Sequence, residues 1–206
     1  MKKTALVGCL VALVAVGAIL AFVLMGQYNS LVSGEQEVEQ AWSQVQNVYQ
    51  RRADLVPNLV ATVKGSANFE QETLTAVVEA RSRVGQISQA ATQEILDHPQ
   101  KFAQFQQAQD GLSSALSRLL VVIERYPEIQ STVAFRDLMT QLEGTENRIT
   151  VERRRFNEVA QAYNTRLLRF PANLVVRILG WHFSKRPYFE ATPTAQEAPK
   201  VDFSAD

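Results

Sequence analysis

The stretch EGTENRITVERRR, Glu143 to Arg155, holds most of the chain's candidate chemistry: three glutamates, four arginines, an asparagine and a glycine in thirteen residues. Acid and base side chains this close together could serve a glycosidase-like or other hydrolytic site, with one carboxyl protonating and another attacking or activating water. They could also form a basic patch for nucleic acid, or line the inside of a helix as paired ions. The rest of the chain offers little to complete an active site. It contains no nucleophile elbow, no phosphate-binding glycine loop, no H-E-x-x-H and no paired E-x-x-H of the kind a di-iron bundle uses. Glu94 and His98 make a lone pairing at a boundary between helical blocks and read as a loop detail. With two histidines, His98 and His182, and one cysteine, Cys9, a metal cluster or disulfide framework is not expected, and neither is a cofactor.

Which way the charges of this stretch face depends on the helix that carries them. Leu142, Ile149 and Phe156 are seven apart, and Phe135, Tyr163 and Phe170 continue the series. The helix therefore passes through Gly144 without losing phase. A glycine there costs about 1 kcal/mol relative to alanine, which a closely approaching backbone or a gentle bend would explain. The companion series Leu138, Thr145, Glu152, Val159 has two polar members, with Glu146 and Arg153 at its edge. An earlier block repeats the anomaly, since Glu70 and Arg81 fall where its stripe should be apolar. Unpaired buried charges are costly, so we expect Glu70, Arg81, Glu146, Glu152 and Arg153 to contribute to a buried or half-buried ion network that fixes helix register. Arg153, Arg154 and Arg155 turn through about 200° of helix surface and form no stripe. Most of that run is expected to be solvated and paired with nearby glutamates such as Glu152 and Glu158.

The elements that carry these residues are helices throughout. Between Tyr28 and Phe170 there is no period-two alternation and no hairpin signal, and apolar residues recur at threes and fours in four blocks. The first is Leu31, Val38, Trp42, Val45 and Tyr49. The second is Val56, Leu59, Val63, Ala67, Leu74, Val77 and Val84. Asp54 is the expected N-cap of the second block, with Pro57 in its first turn, although one long helix kinked at Pro57 fits equally. Gly65 can add a bend or a break. The third block runs from Phe102 to Tyr126, with Asp97 and Gln100 as its expected capping box and Gln109 as its one polar member. Its SRLLVVIERYP segment is apolar all round at the centre, as in a helix deeply buried or covered by a partner. The fourth runs from Phe135 to Phe170 and stops at Pro171. Four long amphipathic helices joined by short connections make an all-α, antiparallel up-down four-helix bundle the expected fold.

Ahead of the bundle, Ala5 to Met25 are 21 residues without a charge, enough for a helix of about 32 Å that crosses a bilayer. A cleaved signal peptide would have a shorter core and a small-residue site at its end. The lipobox-like LVGC at Cys9 follows Lys3 too closely for an export signal. An uncleaved signal anchor is expected. Lys2 and Lys3 precede the span and the next basic residue is Arg51, so the N-terminus should be cytoplasmic and the bundle outside. Lys+Arg and Asp+Glu are 21 each; removing the two N-terminal lysines leaves 19 against 21, a net −2 beyond the span. A nucleic-acid partner does not fit that balance.

The chain thus divides into an anchor (1–26), a bundle (27–170), an amphipathic segment (171–189) and a Pro/Ala/acidic tail (190–206) expected to be disordered. An even number of helices brings the amphipathic segment back near the membrane. There Arg177, Trp181, Phe183, Lys185 and Arg186 could lie at the lipid interface. Alternatively, the segment folds into a groove of the bundle.

The stretches YNSLV (Tyr28 to Val32), AWSQV (Ala41 to Val45), RRADLVPNLVATVKG (Arg51 to Gly65), ALSRLLVVIERYP (Ala115 to Pro127), EGTENRI (Glu143 to Ile149), RRRFNEVAQAYN (Arg153 to Asn164), FPANLV (Phe170 to Val175) and APKVDF (Ala198 to Phe203) resemble the LemA family, in family order and over essentially the whole chain. The resemblance implies a bacterial protein with one N-terminal transmembrane helix and an extracytoplasmic helical bundle. It brings no catalytic residues. Some members of that family are associated with magnetosome membranes, which hints at membrane organisation. KGSANFE departs from the family pattern at Ser66 and Asn68, where an aromatic and often a histidine are expected, and this argues against histidine chemistry at that turn. The expected function is a scaffold or partner-binding module of the cell envelope at the bacterial cytoplasmic membrane. The bilayer would be one partner, an envelope protein a second, and a further copy of the chain is possible. The alternatives are a membrane-remodelling protein that works through residues 171–189 and a hydrolase built on the inward carboxylates.

Overall fold

The computed structural model describes residues 2–65, 70–88 and 92–190. Every regular element among them is a helix: α1 (Lys2–Lys64), α2 (Gln71–Ser88), α3 (Thr92–Asp97), α4 (Pro99–Ile123), α5 (Pro127–Gln130), α6 (Val133–Leu168) and α7 (Ala172–Leu179). The expectations for Ala67, for the Ser66 and Asn68 departures and for residues 191–206 lie outside the described residues.

The apolar span, the first block and the start of the second form one 63-residue helix, about 95 Å long. Asp54 is therefore not an N-cap; it lies mid-helix and accepts a bond from Gln50 Nε2 at 2.8 Å. The stripe explains the continuity, because Val45, Tyr49, Arg52, Val56, Leu59 and Val63 step by fours and threes straight across Pro57. Proline has no N–H to give the carbonyl four residues back, which here is that of Ala53. Arg81 Nε from α2 donates to this Ala53 oxygen at 2.9 Å. The orphaned acceptor sits on a buried residue and is satisfied from a neighbouring helix, so α1 carries a proline in its interior with that acceptor paired.

The capping box expected at Asp97 and Gln100 is not formed. His98 is the N-cap of α4, without a side-chain capping bond, and Pro99 occupies the first turn. The Asp97 carboxylate instead accepts from Arg186 and from Ser184 Oγ. Thr132 caps α6, its hydroxyl accepting from the Phe135 N–H at 3.3 Å.

α1 packs chiefly on α6, and α2 on α4. Buried apolar residues fall into two clusters. One joins residues 55–63 of α1, 74–84 of α2, 112–123 of α4, Ile129, and 135–142 of α6. The other joins residues 31–49 of α1, Ile95, Leu96, Phe102, Phe105, residues 149–167 of α6, Ala172 and Phe189. By contrast, the apolar side chains of α1 from Leu10 to Val23 are uncovered, with Phe22 80% exposed and Ile19 65%.

Candidate functional site

The two apolar clusters leave a gap at the same level on three helices: between Tyr49 and Leu55, between Phe105 and Leu112, and between Leu142 and Ile149. A polar layer fills it. The Arg52 side chain, 1% exposed, sends Nη1 to Ser113 Oγ at 2.6 Å and to Glu146 Oε1 at 2.9 Å. Its Nη2 donates to the Gln109 side chain at 2.7 Å and to the Gln109 carbonyl at 3.0 Å. Tyr49, one turn earlier, lies under the guanidinium at 5.1 Å, and Thr145, also buried, returns its hydroxyl to the Gln141 carbonyl. Gln109, the one polar member of its stripe, is thus the acceptor for a buried arginine. Arg52 was legible too, since it occupies a stripe position between Tyr49 and Val56.

Of the five residues expected in a single ion network, Glu146 alone belongs to this layer, and its carboxylate faces solvent at 47% exposure. Glu70 does not point inward; it is exposed and pairs with Arg125 at 2.9 Å, because it precedes α2 rather than lying on its buried face. Arg81 serves the Ala53 carbonyl. Glu152 and Arg153 are half-buried. The Glu152 Oε2 is enclosed without a hydrogen-bond partner, whereas Arg153 reaches the Glu190 carbonyl and stacks over Phe189 at 4.7 Å. Four of the five serve four separate purposes, the Glu152 Oε2 is left without a partner, and they do not meet in one network.

The second constellation is the arrest of the C-terminal segment. Asn164 donates from Nδ2 to the Arg186 carbonyl and accepts from the Arg186 N–H, both at 2.9 Å. Two turns earlier on α6, Asn157 does the same for Phe189, again at 2.9 Å in both directions. The spacing matches: seven residues of helix rise about 10.5 Å, and three residues of extended chain cover about 10 Å. The two asparagines therefore act like the rungs of a strand partner for residues 186–189. Phe189 enters the aromatic cluster of Trp42, Phe102 and Phe156, with centroids 6.0, 4.8 and 5.5 Å away.

Arg186, only 4% exposed, pairs inside with Glu35 of α1 and Asp97 of α3. This overturns its expected place at a lipid surface, since its charge is already answered by carboxylates. Burial pushes the Glu35 carboxyl above its usual range, and the Arg186 guanidinium draws it partly back. Burial likewise pushes the Tyr163 hydroxyl up to about 12, against the pull of Arg186. The other expected interfacial residues divide. Trp181 and Phe183 are half-buried around Tyr28, with centroids at 5.0 and 5.8 Å, while Arg177 and Lys185 stay exposed. Residues 181–190 thus fold against α1, α3, α4 and α6, and α7 keeps an outward face.

Beside the polar layer a groove of about 540 Å³ lies between α4 and α6, lined by Leu116, Leu120, Met139, Leu142 and Glu146 among others. Glu70 and Glu152 are not among its lining residues, so the carboxylates of the hydrolase alternative do not converge there. Among the described residues no group of three or more His, Cys, Asp or Glu is placed to hold a metal.

The model of the LemA family matches residues 41–203. The chain belongs to the LemA family. Its similar proteins include magnetosome protein MamQ 2 of Paramagnetospirillum magneticum, 28% identical over 197 residues and covering 89% of this chain and 71% of that one. Magnetosome protein MamQ of Magnetospirillum gryphiswaldense is 27% identical, covering 87% and 71%. Protein LemA of Metamycoplasma hominis is 25% identical, covering 77% and 67%. In this LemA family chain the stretch RRRFNEVAQAYN carries Asn157 and Asn164, the two rungs that hold the C-terminal segment, and RRADLVPNL carries Arg52 and Pro57. The stretches that mark the family therefore do structural work here.

Proposed function

We propose that this protein is a single-pass, membrane-anchored helical bundle that acts as a scaffold or partner-binding module of the cell envelope, without catalysis of its own. The observation that carries the reading is α1 itself: the uncovered apolar segment continues without a break into the helix that fills both cores. Whatever holds the span holds the bundle, with no flexible linker between them. In this reading α1, α2, α4 and α6 form an antiparallel up-down bundle. The contacts along the helices support it. Gly34 lies against Tyr163 and Arg166 while Arg52 meets Glu146, so rising numbers on α1 meet falling numbers on α6. Arg81 of α2 returns to Ala53, and Trp42 and Arg52 meet Phe102 and Gln109 of α4 in ascending order. In this reading the N-terminus is cytoplasmic and the bundle lies outside; Lys2 and Lys3 ahead of the apolar segment, with Arg51 the next basic residue, support that orientation. The magnetosome proteins among its relatives fit a role at an organised membrane.

The test has two arms. A membrane-impermeant thiol reagent should label a Val133→Cys variant, with Cys9 changed to serine, in intact spheroplasts; protection until lysis contradicts the orientation. Proximity labelling from the bundle in cells should enrich a specific envelope protein, and recovery of abundant background alone contradicts the scaffold role.

A further inference from the structure

The outward side of α7 and the last turn of α6 is apolar where a soluble surface would be polar. Phe170 is 79% exposed, Ile178 69%, Leu168 53%, Leu179 50% and Leu174 48%. Leu174, Arg177 and Ile178 stand at i, i+3 and i+4, neighbours on one helix face. Ala172 is buried on the opposite side, and Val176 packs against the core. Leu174 and Ile178 on this face, with exposed Leu168 and Phe170 shortly before them in the chain, leave apolar surface that needs a partner.

We infer that this patch is a second bilayer contact: α7 lies in the headgroup boundary of the same membrane that α1 crosses, with anionic phospholipid as its partner. The inference rests on reading α1 as a spanning helix. Three observations lead to it. The first is position. Tyr28 stands three residues beyond Met25, the last residue of the uncharged run, a rise of about 4.5 Å along α1. The Tyr28 ring touches Trp181 and Phe183, which follow α7 directly. On the other side, Tyr163 and Arg166 of α6 oppose Gly34, so the end of α6 runs on towards the span. α7 is therefore held at the level where the span emerges, and a rigid α1 leaves it no other height.

The second is charge. From Thr165 to Phe189 the chain carries Arg166, Arg169, Arg177, Lys185 and Arg186 and no acid. Arg186 and Arg166 are committed to Glu35 and Glu37. Arg169, Arg177 and Lys185 are exposed and form no ion pair among the described contacts. Cations beside apolar side chains suit a lipid interface, where aliphatic stems lie along the acyl boundary and charged ends reach phosphate. The third is the fixed frame. Residues 181–190 are clamped by Asn157, Asn164 and the Arg186 ion pairs, so α7 is tethered at both ends and presents its face without having to fold on binding.

The test uses the full chain with Cys9→Ser and one cysteine at Ile178 or, as reference, at Val133. Each variant carries an environment-sensitive fluorophore and is reconstituted in vesicles of phosphatidylethanolamine and phosphatidylglycerol. Position 178 should show a blue shift and quenching by lipids bearing a nitroxide near the headgroup, and position 133 neither. Carbonate extraction of the same vesicles reports on the span independently. A carbonate-resistant protein with solvent-like emission at position 178 overturns the α7 contact and leaves the anchor standing. A blue shift without nitroxide quenching also overturns it, because a protein surface rather than lipid would then cover the face. Release by carbonate overturns the anchor, and the inference with it.

Discussion

At the scale of single residues, Pro57 and Arg81 account for each other. The proline removes the donor for the Ala53 carbonyl and the arginine supplies another. Arg81→Met should cost about 1–3 kcal/mol of unfolding free energy, since it leaves a buried acceptor unpaired. In a Pro57→Ala background the restored N–H takes over, and the same substitution should cost much less. Chemical denaturation of the four proteins closes the cycle, and equal costs in both backgrounds would refute the coupling. Tyr163 gives a pH prediction. Its folded pKa is raised to about 12 by burial, above its ordinary value, so the native state favours the protonated phenol. The resulting stability is complete below about pH 10 and is lost as pH rises through about 12. The phenolate absorbance missing from a Tyr163→Phe variant should therefore develop near pH 12; a difference already complete at pH 10 would contradict the burial argument. The sequence marked Gln109 and Arg81 as misplaced polar residues correctly, but not what they pair with. A buried charge announces itself by breaking a stripe, whereas its partner can be a backbone oxygen that no residue type reveals. Glu70 shows the opposite failure, because a stripe position just before the helix begins carries no inward direction.

At the scale of elements, periodicity located the helices well and their joints poorly. The stripe through Arg52 and Pro57 runs unbroken, but Asp54 and Pro57 together also look like a helix start, and tertiary contact with α2 decides for continuity. Gly144 fits no close approach, since a Cβ there would have no neighbour within 4 Å, whereas one at Gly34 would lie 3.1 Å from the Tyr163 ring and 3.2 Å from Arg166 Nη1. The tight crossing of α1 and α6 is at Gly34. Gly144→Ala should therefore raise stability by up to about 1 kcal/mol, while Gly34→Leu should lower it by about 1–3 kcal/mol through overpacking. Thermal or chemical denaturation of both variants distinguishes them; a stabilising Gly34→Leu would refute the close packing. The stretch from Arg153 to Asn164 identified the family without showing its purpose. Its asparagines match a segment more than twenty residues away, and that pairing becomes visible only when helical rise is set against extended chain length.

At the scale of the whole molecule, the protein is organised by one helix. α1 supplies the apolar segment, one side of both cores, the arginine of the polar layer and, through Glu35 and Tyr28, the seat of the C-terminal segment. The packed helices then cannot swing freely on the apolar segment of α1, and the height and tilt of their surfaces follow that segment. Composition made the apolar N-terminal helix legible, because an uncharged run of this length is long enough to cross a bilayer. The rigid junction was not legible, because nothing in YNSLV distinguishes a helix that continues from one that ends. The direct test is a pulsed electron-spin distance in a reconstituted bilayer, between labels at Leu20→Cys and Gln50→Cys with Cys9 replaced by serine. Thirty residues of unbroken helix predict one narrow distance of about 45 Å. A broad or markedly shorter distribution would mean that α1 bends or melts beyond its apolar segment, and would contradict the account.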